Sequence, residues 1–233
     1  MTTDPAGGVT LFGHWICPYS LRVSFALAER GIAHEVVEVP PTAARPHGFV
    51  VPAEFVDHSP KGEIPLVRIG SRYRADSLPI LEWLEECVAV RPLLPTEPGE
   101  RLLVRRRMAW IDANVFAPMV GVYCGTRRER IAESAAALAG ALAAMGEWVG
   151  DRAWMGGEAP TLAEATVVPV YVRLDALRRL GFAHPLDRRV AAHLERCTGL
   201  AGWDAVAWSE AQTDELVERV ERFRAAAGPT GGA

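Results

Sequence analysis

Cysteine is sparse in this 233-residue chain, and its four copies (Cys17, Cys87, Cys124 and Cys197) lie far apart. No CxxC pair and no Cys/His spacing of the zinc-binding kind occurs, and a small secreted disulfide scaffold is excluded by size. An excess of positive charge is missing too. The net charge is −4, so no nucleic-acid footprint is expected, and Arg105-Arg106-Arg107 reads as a solvated helix face. Lysine is almost absent: of 25 basic residues only Lys61 is lysine, a bias of the kind a GC-rich genome produces. There is no long hydrophobic run. The longest, Ala135 to Met145, is mostly alanine and too short to span a bilayer. The first eight residues carry neither a basic region nor an apolar core, so they read as a disordered lead-in rather than a signal peptide. No internal repeat is visible. Together these absences describe a cytoplasmic protein in a reducing compartment, with no membrane, nucleic-acid or metal partner.

What is present is enough apolar material for a sizeable core: 49% of residues are hydrophobic and 23% charged. The chain is organised around residues 13–23, Gly-His-Trp-Ile-Cys-Pro-Tyr-Ser-Leu-Arg-Val. An apolar strand, Val9 to Phe12, leads in. An amphipathic helix, roughly Cys17 to Arg30, leads out with Leu21, Phe25 and Ala28 on one face and Gly31 as its stop. Cys17 is thus expected at a helix N-terminus, where unpaired N–H groups and the helix dipole favour a thiolate. Pro18 suits the first helical position.

A second strand, His34–Val39, completes a βαβ unit, whose strands are expected to be parallel. A Pro-rich connection from Pro40 to Pro52 and a short helical turn at Ala53–Asp57 follow. Leu66–Ile69 and Arg72–Arg74 read as a hairpin turning at Gly70-Ser71, with Pro65 at the strand mouth in the expected cis form. Asp76-Ser77 is expected to cap a helix running to about Val90, with Leu78, Leu81, Trp83, Leu84 and Val88 supplying apolar surface. The first domain, residues 1–90, is therefore βαβ-ββα.

Residues 91–99, Arg-Pro-Leu-Leu-Pro-Thr-Glu-Pro-Gly, form a Pro-rich linker. From 100 to 233 the pattern is all-helical: roughly Glu100–Tyr123, Glu129–Val149, Thr161–Leu180, Pro185–Cys197, a short helix near Gly202–Trp208, and Gln212–Ala227. Pro118 and Pro169 are expected to kink the first and third of these. Thr161-Leu162-Ala163-Glu164 is a capping box, and the tail from Gly228 reads as frayed.

Ser20 sits where a Cys-Pro-Tyr-Cys dithiol would place its second cysteine. Cys17 therefore lacks a resolving partner in its own motif and depends on an external thiol to release a mixed disulfide. A small buried hydrophobe is the commoner fate of a free cysteine, and Cys87, Cys124 and Cys197 keep that reading.

Four stretches taken in order now carry a resemblance. Residues 17–23, 59–66 (Ser-Pro-Lys-Gly-Glu-Ile-Pro-Leu), 75–77 (Ala-Asp-Ser) and 161–165 (Thr-Leu-Ala-Glu-Ala) resemble the cytosolic glutathione transferase superfamily, in its cysteine-type, omega- or lambda-like form. The resemblance implies a thioredoxin-like N-terminal domain that binds glutathione, or another low-molecular-weight thiol, as cosubstrate. It implies an all-helical domain completing a second-substrate pocket, and a homodimer. Cys17 matches the position that meets the glutathione sulfur. Ile64, before Pro65, matches the residue whose backbone pairs with the cysteinyl part. Ser77 matches the helix-opening residue that holds the γ-glutamyl carboxylate, and Asp76 either takes the α-amino group or caps the helix. Asp76 stands where glutamate is common, and Glu164 where the family's capping box has aspartate. For the glycyl carboxylate, Arg45, His47 and Lys61 are all open.

His14 before the motif is read as structural ahead of a thiolate contact. Trp15, Trp110, Asn114, Met119 and Tyr123 are second-substrate candidates, with core or dimer surface slightly favoured for each, and Arg106 reads as solvated. Three functions follow: Cys17-based, glutathione-dependent thiol transfer or reduction of an electrophile or mixed disulfide; conjugation, isomerisation or sulfur transfer on a biosynthetic molecule, with Cys17 orienting the thiol; and a non-catalytic binding protein.

Overall fold

The computed structural model describes residues 8–150 and 152–227, so the lead-in before Gly8 and the tail from Gly228 lie outside the described residues. The chain divides into two compact units between Arg101 and Leu102, with Gly199–Val206 belonging to the first.

The first unit has strands β1 (Val9–Gly13), β2 (Glu35–Glu38), β3 (Leu66–Ile69) and β4 (Arg72–Ala75), and helices α1 (Pro18–Glu29), α2 (Ala53–His58) and α3 (Ser77–Cys87). The sheet order is β2-β1-β3-β4, with β1 and β2 parallel and the β1–β3 and β3–β4 pairs antiparallel. This is the βαβ-ββα order that the residue pattern predicts and the thioredoxin-like arrangement that the family resemblance implies. All of β1 is buried because both faces of the sheet are covered. Val9, Leu11, Val67 and Ile69 join one core cluster with α1 and α3 residues. Phe12 and Leu66 point the other way, packing with Cys17, Val39, Phe55 and Ile64. The site's cysteine is therefore part of the sheet's second core.

Helix α1 buries more than its predicted stripe: Leu21, Arg22, Val23, Phe25, Ala26 and Leu27 are all covered. The short helix α10 (Ala201–Asp204) packs on it, and Gly202 N–H donates to Glu29 Oε2 at 2.8 Å. A Cβ on Gly202 would lie 2.8 Å from the Phe25 ring and from the Phe25 carbonyl oxygen, so this approach needs glycine. Helix α3 ends at Cys87, three residues short of the predicted Val90. There the buried Arg30–Glu85 pair takes over. Arg30 donates to the Val88 and Val90 carbonyls, and Glu85 accepts from the Leu93 and Leu94 N–H groups. The Pro-rich stretch is thus fixed through its backbone.

The second unit contains the end of α4 (Pro98–Ile111), α5 (Ala117–Cys124), α6 (Arg128–Val149), α7 (Leu162–Val172), α8 (Leu174–Leu180), α9 (Arg188–Thr198) and α11 (Glu210–Ala226). Among the described residues of this unit no strand occurs, only the isolated bridge Trp154–Gly157. The helix predicted over Glu100–Tyr123 is two helices joined by a π-helical segment, Asp112–Phe116. Pro118 has no N–H for the carbonyl four residues back, and the widened turn accommodates it. Pro169 lies within α7, and the break falls beyond it at Arg173, which donates to the Pro169 carbonyl at 2.8 Å. Helix α7 is buried along its whole length. The Thr161–Glu164 box opens it: Ala163 N–H donates to Thr161 Oγ1 at 3.2 Å and Thr161 N–H to Glu164 Oε2 at 2.7 Å.

Candidate active site

A turn leads into the cysteine. Cys17 N–H donates to the His14 carbonyl at 3.0 Å, and Ile16 N–H donates to His14 Nδ1 at 3.2 Å. His14 therefore shapes the loop. Cys17 is the N-cap of α1, its backbone extended, and its carbonyl accepts the first helical bond from Leu21 N–H at 3.1 Å. Pro18 follows at the start of the helix, where its missing N–H is no loss. Cys17 is 6% exposed. Its Sγ lies 4.0 Å from the Ile64 carbonyl oxygen. Ser20, one turn on, is buried, and a Cβ on Gly13 would meet its side chain at 3.1 Å. Strand β1 and α1 are thus in close contact just behind the cysteine.

The second wall is the loop entering β3. Gly62 at φ 65 closes a turn in which Gly62 N–H donates to the Ser59 carbonyl and Ser59 Oγ to the Glu63 carbonyl. The Ile64–Pro65 bond is cis. Among the described residues no backbone group pairs with the Ile64 N–H. Such an unpaired donor beside a carbonyl is the unit that an extended peptide uses to add a strand.

The third wall is the N-terminus of α3. Ser77 is its first residue, buried, with a backbone N–H that has no partner inside the helix. Asp76 occupies the N-cap, but its side chain makes no capping bond, which corrects the capping role. Its backbone at φ 66 and ψ 123 turns the carboxylate outward, where Lys61 Nζ pairs with it at 3.2 Å. The fold therefore assembles Cys17, Ile64, Pro65, Asp76 and Ser77 from three separate stretches into the first unit. Of the glycyl-carboxylate candidates, Arg45 is turned to the Pro40 carbonyl, His47 is exposed, and Lys61 is the one beside Asp76.

One functional candidate escapes a sequence reading. Arg22, fully buried in α1, donates from Nη1 to Ser77 Oγ at 3.1 Å and lies 5.1 Å over the Tyr19 ring. The available signal is an arginine inside an otherwise apolar helix stretch, Leu21 to Leu27.

Within the second unit, Met119 is core, and Asn114 is exposed and donates to the Trp110 carbonyl of its own helix. Trp110 meets Trp148 edge-on at 4.8 Å, and Arg107 lies over Trp148 rather than being merely solvated; Arg106 is exposed. Cys124 is exposed and Cys87 half-buried, so the buried reading holds for Cys197 but not for them. Among the described residues no cluster of three or more His, Cys, Asp or Glu could hold a metal ion, and no helix is long and apolar enough to cross a membrane.

The family described as glutathione S-transferase, N-terminal domain, matches residues 16–87. Rat maleylacetoacetate isomerase is 35% identical over 100 residues, 43% of this chain and 45% of that protein. Glutathione S-transferase U7 of Arabidopsis thaliana is 28% identical over 52% of this chain and 51% of its own length. The chain thus spans about half the length of these two curated relatives. Mouse glutathione S-transferase omega-1 is 22% identical over 74% of this chain and 70% of its own. Among solved structures, glutathione transferase Omega 3C from Trametes versicolor superposes with a TM-score of 0.77 at 21% identity, covering 94% of this chain and 92% of its own. Rice GST1 (OsGSTU1), solved in complex with glutathione, gives 0.80 at 20% identity, covering 95% and 98%. Residues 16–87 match the glutathione S-transferase N-terminal domain family, and over most of its length the chain has the fold of the solved glutathione transferases.

Proposed function

We propose that this chain is a glutathione transferase-like enzyme in which Cys17 carries glutathione-dependent thiol transfer, reducing a small electrophilic or mixed-disulfide substrate. The observation that carries the reading is the seat of Cys17: N-cap of α1, Sγ 4.0 Å from the Ile64 carbonyl, with Ser20 where a second thiol would stand. In that seat Cys17 attacks the glutathionyl sulfur of a mixed disulfide. An S–S bond forms to Cys17 as the substrate thiolate leaves and takes up a proton. The thiolate of a second glutathione then attacks that new bond, releasing oxidised glutathione and restoring the Cys17 thiolate. Glutathione supplies both electrons. Ile64, next to cis-Pro65, pairs with its cysteinyl backbone. Ser77 donates to its γ-glutamyl carboxylate at the positive end of α3, and Asp76 takes its α-ammonium in place of Lys61.

A second reading has its own support. The match to an isomerase over 100 residues favours isomerisation or conjugation, with Cys17 only orienting the glutathione thiol. In either case a cytoplasmic homodimer acting on a small molecule is the proposed setting, without metal, membrane or nucleic acid. The domain plan 1–90, 91–99 and 100–233 remains the proposed functional division, with the helical part taking the second substrate.

The test is the intact mass of the protein after incubation with oxidised glutathione, for wild type and Cys17→Ser. An adduct of one glutathione on the wild type alone supports thiol transfer. No adduct, with conjugating or isomerising activity undiminished in Cys17→Ser, overturns it in favour of the second reading.

A further inference from the structure

We infer that His14 is a positioning residue for thiol exchange, its ring Nδ1 fixing the turn that aims Cys17 at a bound disulfide. The inference rests on the thiol-transfer reading of Cys17 and adds a residue to it.

The chain has little freedom between β1 and α1. Gly13 ends the strand, its carbonyl accepting from Val39 N–H at 2.9 Å, and the Cys17 carbonyl already accepts the first helical bond. Only residues 14–16 lie between. Two N–H groups close this span, and both bond to residue 14. Cys17 N–H donates to the His14 carbonyl at 3.0 Å, and Ile16 N–H donates to the His14 ring at Nδ1, 3.2 Å away. The first bond is that of a β-turn. In the second a side chain stands in for a carbonyl, as asparagine or aspartate does for the N–H two residues on.

That second bond fixes the chemistry of the ring. A backbone N–H can only donate, so Nδ1 is the unprotonated, accepting nitrogen of the imidazole. The ring is half-buried, with its centre 5.6 Å from that of the Trp15 ring. Histidine Nδ1 and asparagine Oδ1 occupy the same position along a side chain. What the turn uses is therefore an acceptor at that position, and the ring is its carrier.

The consequence falls on the sulfur. The two N–H groups that precede the Cys17 side chain are both taken, and Pro18 after it has none. Cys17 Sγ is left facing the Ile64 carbonyl oxygen at 4.0 Å. Without the Nδ1 acceptor, Ile16 N–H becomes an unpaired donor one residue from a thiolate. A charge-assisted bond between the two turns Sγ away from Ile64. Attack on a disulfide needs the three sulfurs close to one line, so the loss is one of aim rather than of thiolate.

The test compares wild type with His14→Asn, which keeps an acceptor at the δ position, and His14→Phe, which keeps a ring and has no acceptor. Each is incubated with oxidised glutathione and, separately, with iodoacetamide. Peptide mass mapping follows Cys17 alone, since Cys124 is exposed as well. Alkylation is read at the alkaline plateau of its pH profile, where Cys17 is all thiolate and the small reagent orients itself to the sulfur.

Glutathionylation of His14→Phe is expected to slow roughly tenfold, the scale of one lost hydrogen bond, while its plateau alkylation stays within about twofold of wild type. His14→Asn is expected to recover glutathionylation to within about threefold of wild type, because it replaces the lost acceptor. A folded His14→Phe that is glutathionylated as fast as wild type overturns the proposal. Equal losses in His14→Phe and His14→Asn assign the effect to the ring and overturn it too. So does a loss of the same size with both reagents, which places the effect in the thiolate itself. If His14→Phe does not fold, His14→Ala takes its place under the same criteria. A wild type that is alkylated at Cys17 and never glutathionylated overturns the thiol-transfer reading, and this inference with it. A wild type that is glutathionylated, beside an unimpaired His14→Phe, removes His14 alone.

Discussion

His193 Nε2 donates to Glu164 Oε1 across 3.1 Å inside the helical unit, with both side chains fully buried. The other ring nitrogen faces the Tyr171 hydroxyl at 2.9 Å, and Cys197 Sγ lies about one van der Waals contact away, 3.9 Å from Nε2. Burial pushes the Glu164 carboxyl up. The bond and charge of His193, with the donors from Met155 N–H and Thr161, outweigh that and hold it below the usual carboxylate range. A carboxyl lowered in the folded state contributes stability that is full above its unfolded value, about 4.3, and is lost as the pH falls through the folded value. The helical unit is therefore expected to lose stability in acid, and His193→Leu to flatten that loss. Replacing Glu164 with alanine at neutral pH removes a buried partner and the capping box together, at a cost of ~3–5 kcal/mol. Urea midpoints between pH 3 and 7, where ~4.3 is the reference value, check both points.

The Arg30–Glu85 pair joins atoms 3.1 Å apart, with side chains 1% and 3% exposed. Burial lowers the Arg30 pKa and the Glu85 charge opposes that shift. Removing either partner alone strands the other in the interior, so Glu85→Ala and Arg30→Met are each expected to cost ~3–5 kcal/mol. The signature of Glu85→Ala is local. Leu93 and Leu94 N–H groups lose their acceptor, and hydrogen exchange there is expected to rise beyond what global destabilisation explains.

These buried polar links explain why some of the molecule was readable in the residues and some was not. Strand alternation, the Cys-Pro step and the Ile64-Pro65 and Asp76-Ser77 pairs are local, and each is visible within a few residues. Arg22, Arg30 and His193 acquire their roles from partners 55, 58 and 29 residues away. A helical pattern presents them only as polar residues on a helix. The joint at Asp112–Phe116 shows the same limit in another form: Pro118 announces a break, but the neighbouring turns choose a π-helical segment over a bend. Likewise the assignment of Gly199–Val206 to the first unit depends on Gly202 fitting against Phe25, a relationship that periodicity does not encode.

That fit is itself testable. A methyl group on Gly202 would stand 2.8 Å from both the Phe25 ring and the Phe25 carbonyl oxygen. The ring has some freedom to move, but the helix backbone does not. Gly202→Ala is therefore expected to destabilise by ~1–3 kcal/mol, even though alanine is the better helix former. A urea midpoint unchanged from wild type would show that α10 shifts away without cost.

Asp76 sets stability against binding in one residue. Its φ of 66 with ψ 123 lies where glycine is at ease and a side chain is not, and such a conformation costs ~1–3 kcal/mol. The exposed pair with Lys61, with side chains 59% and 65% exposed, returns at most ~1 kcal/mol. Asp76→Gly removes the strain and adds ~0.4–1 kcal/mol of unfolded-state entropy. The balance predicts a protein about as stable as wild type or stabilised by ~1 kcal/mol. Asp76→Asn keeps the strain and drops the charge, so it gains nothing of that kind. Both variants lose the carboxylate proposed to take the α-ammonium of glutathione, and both are expected to bind it roughly tenfold more weakly. The pair of measurements, urea midpoint and glutathione affinity, separates the two effects. Equal affinity in all three proteins would remove Asp76 from the site and leave its backbone strain without a functional return.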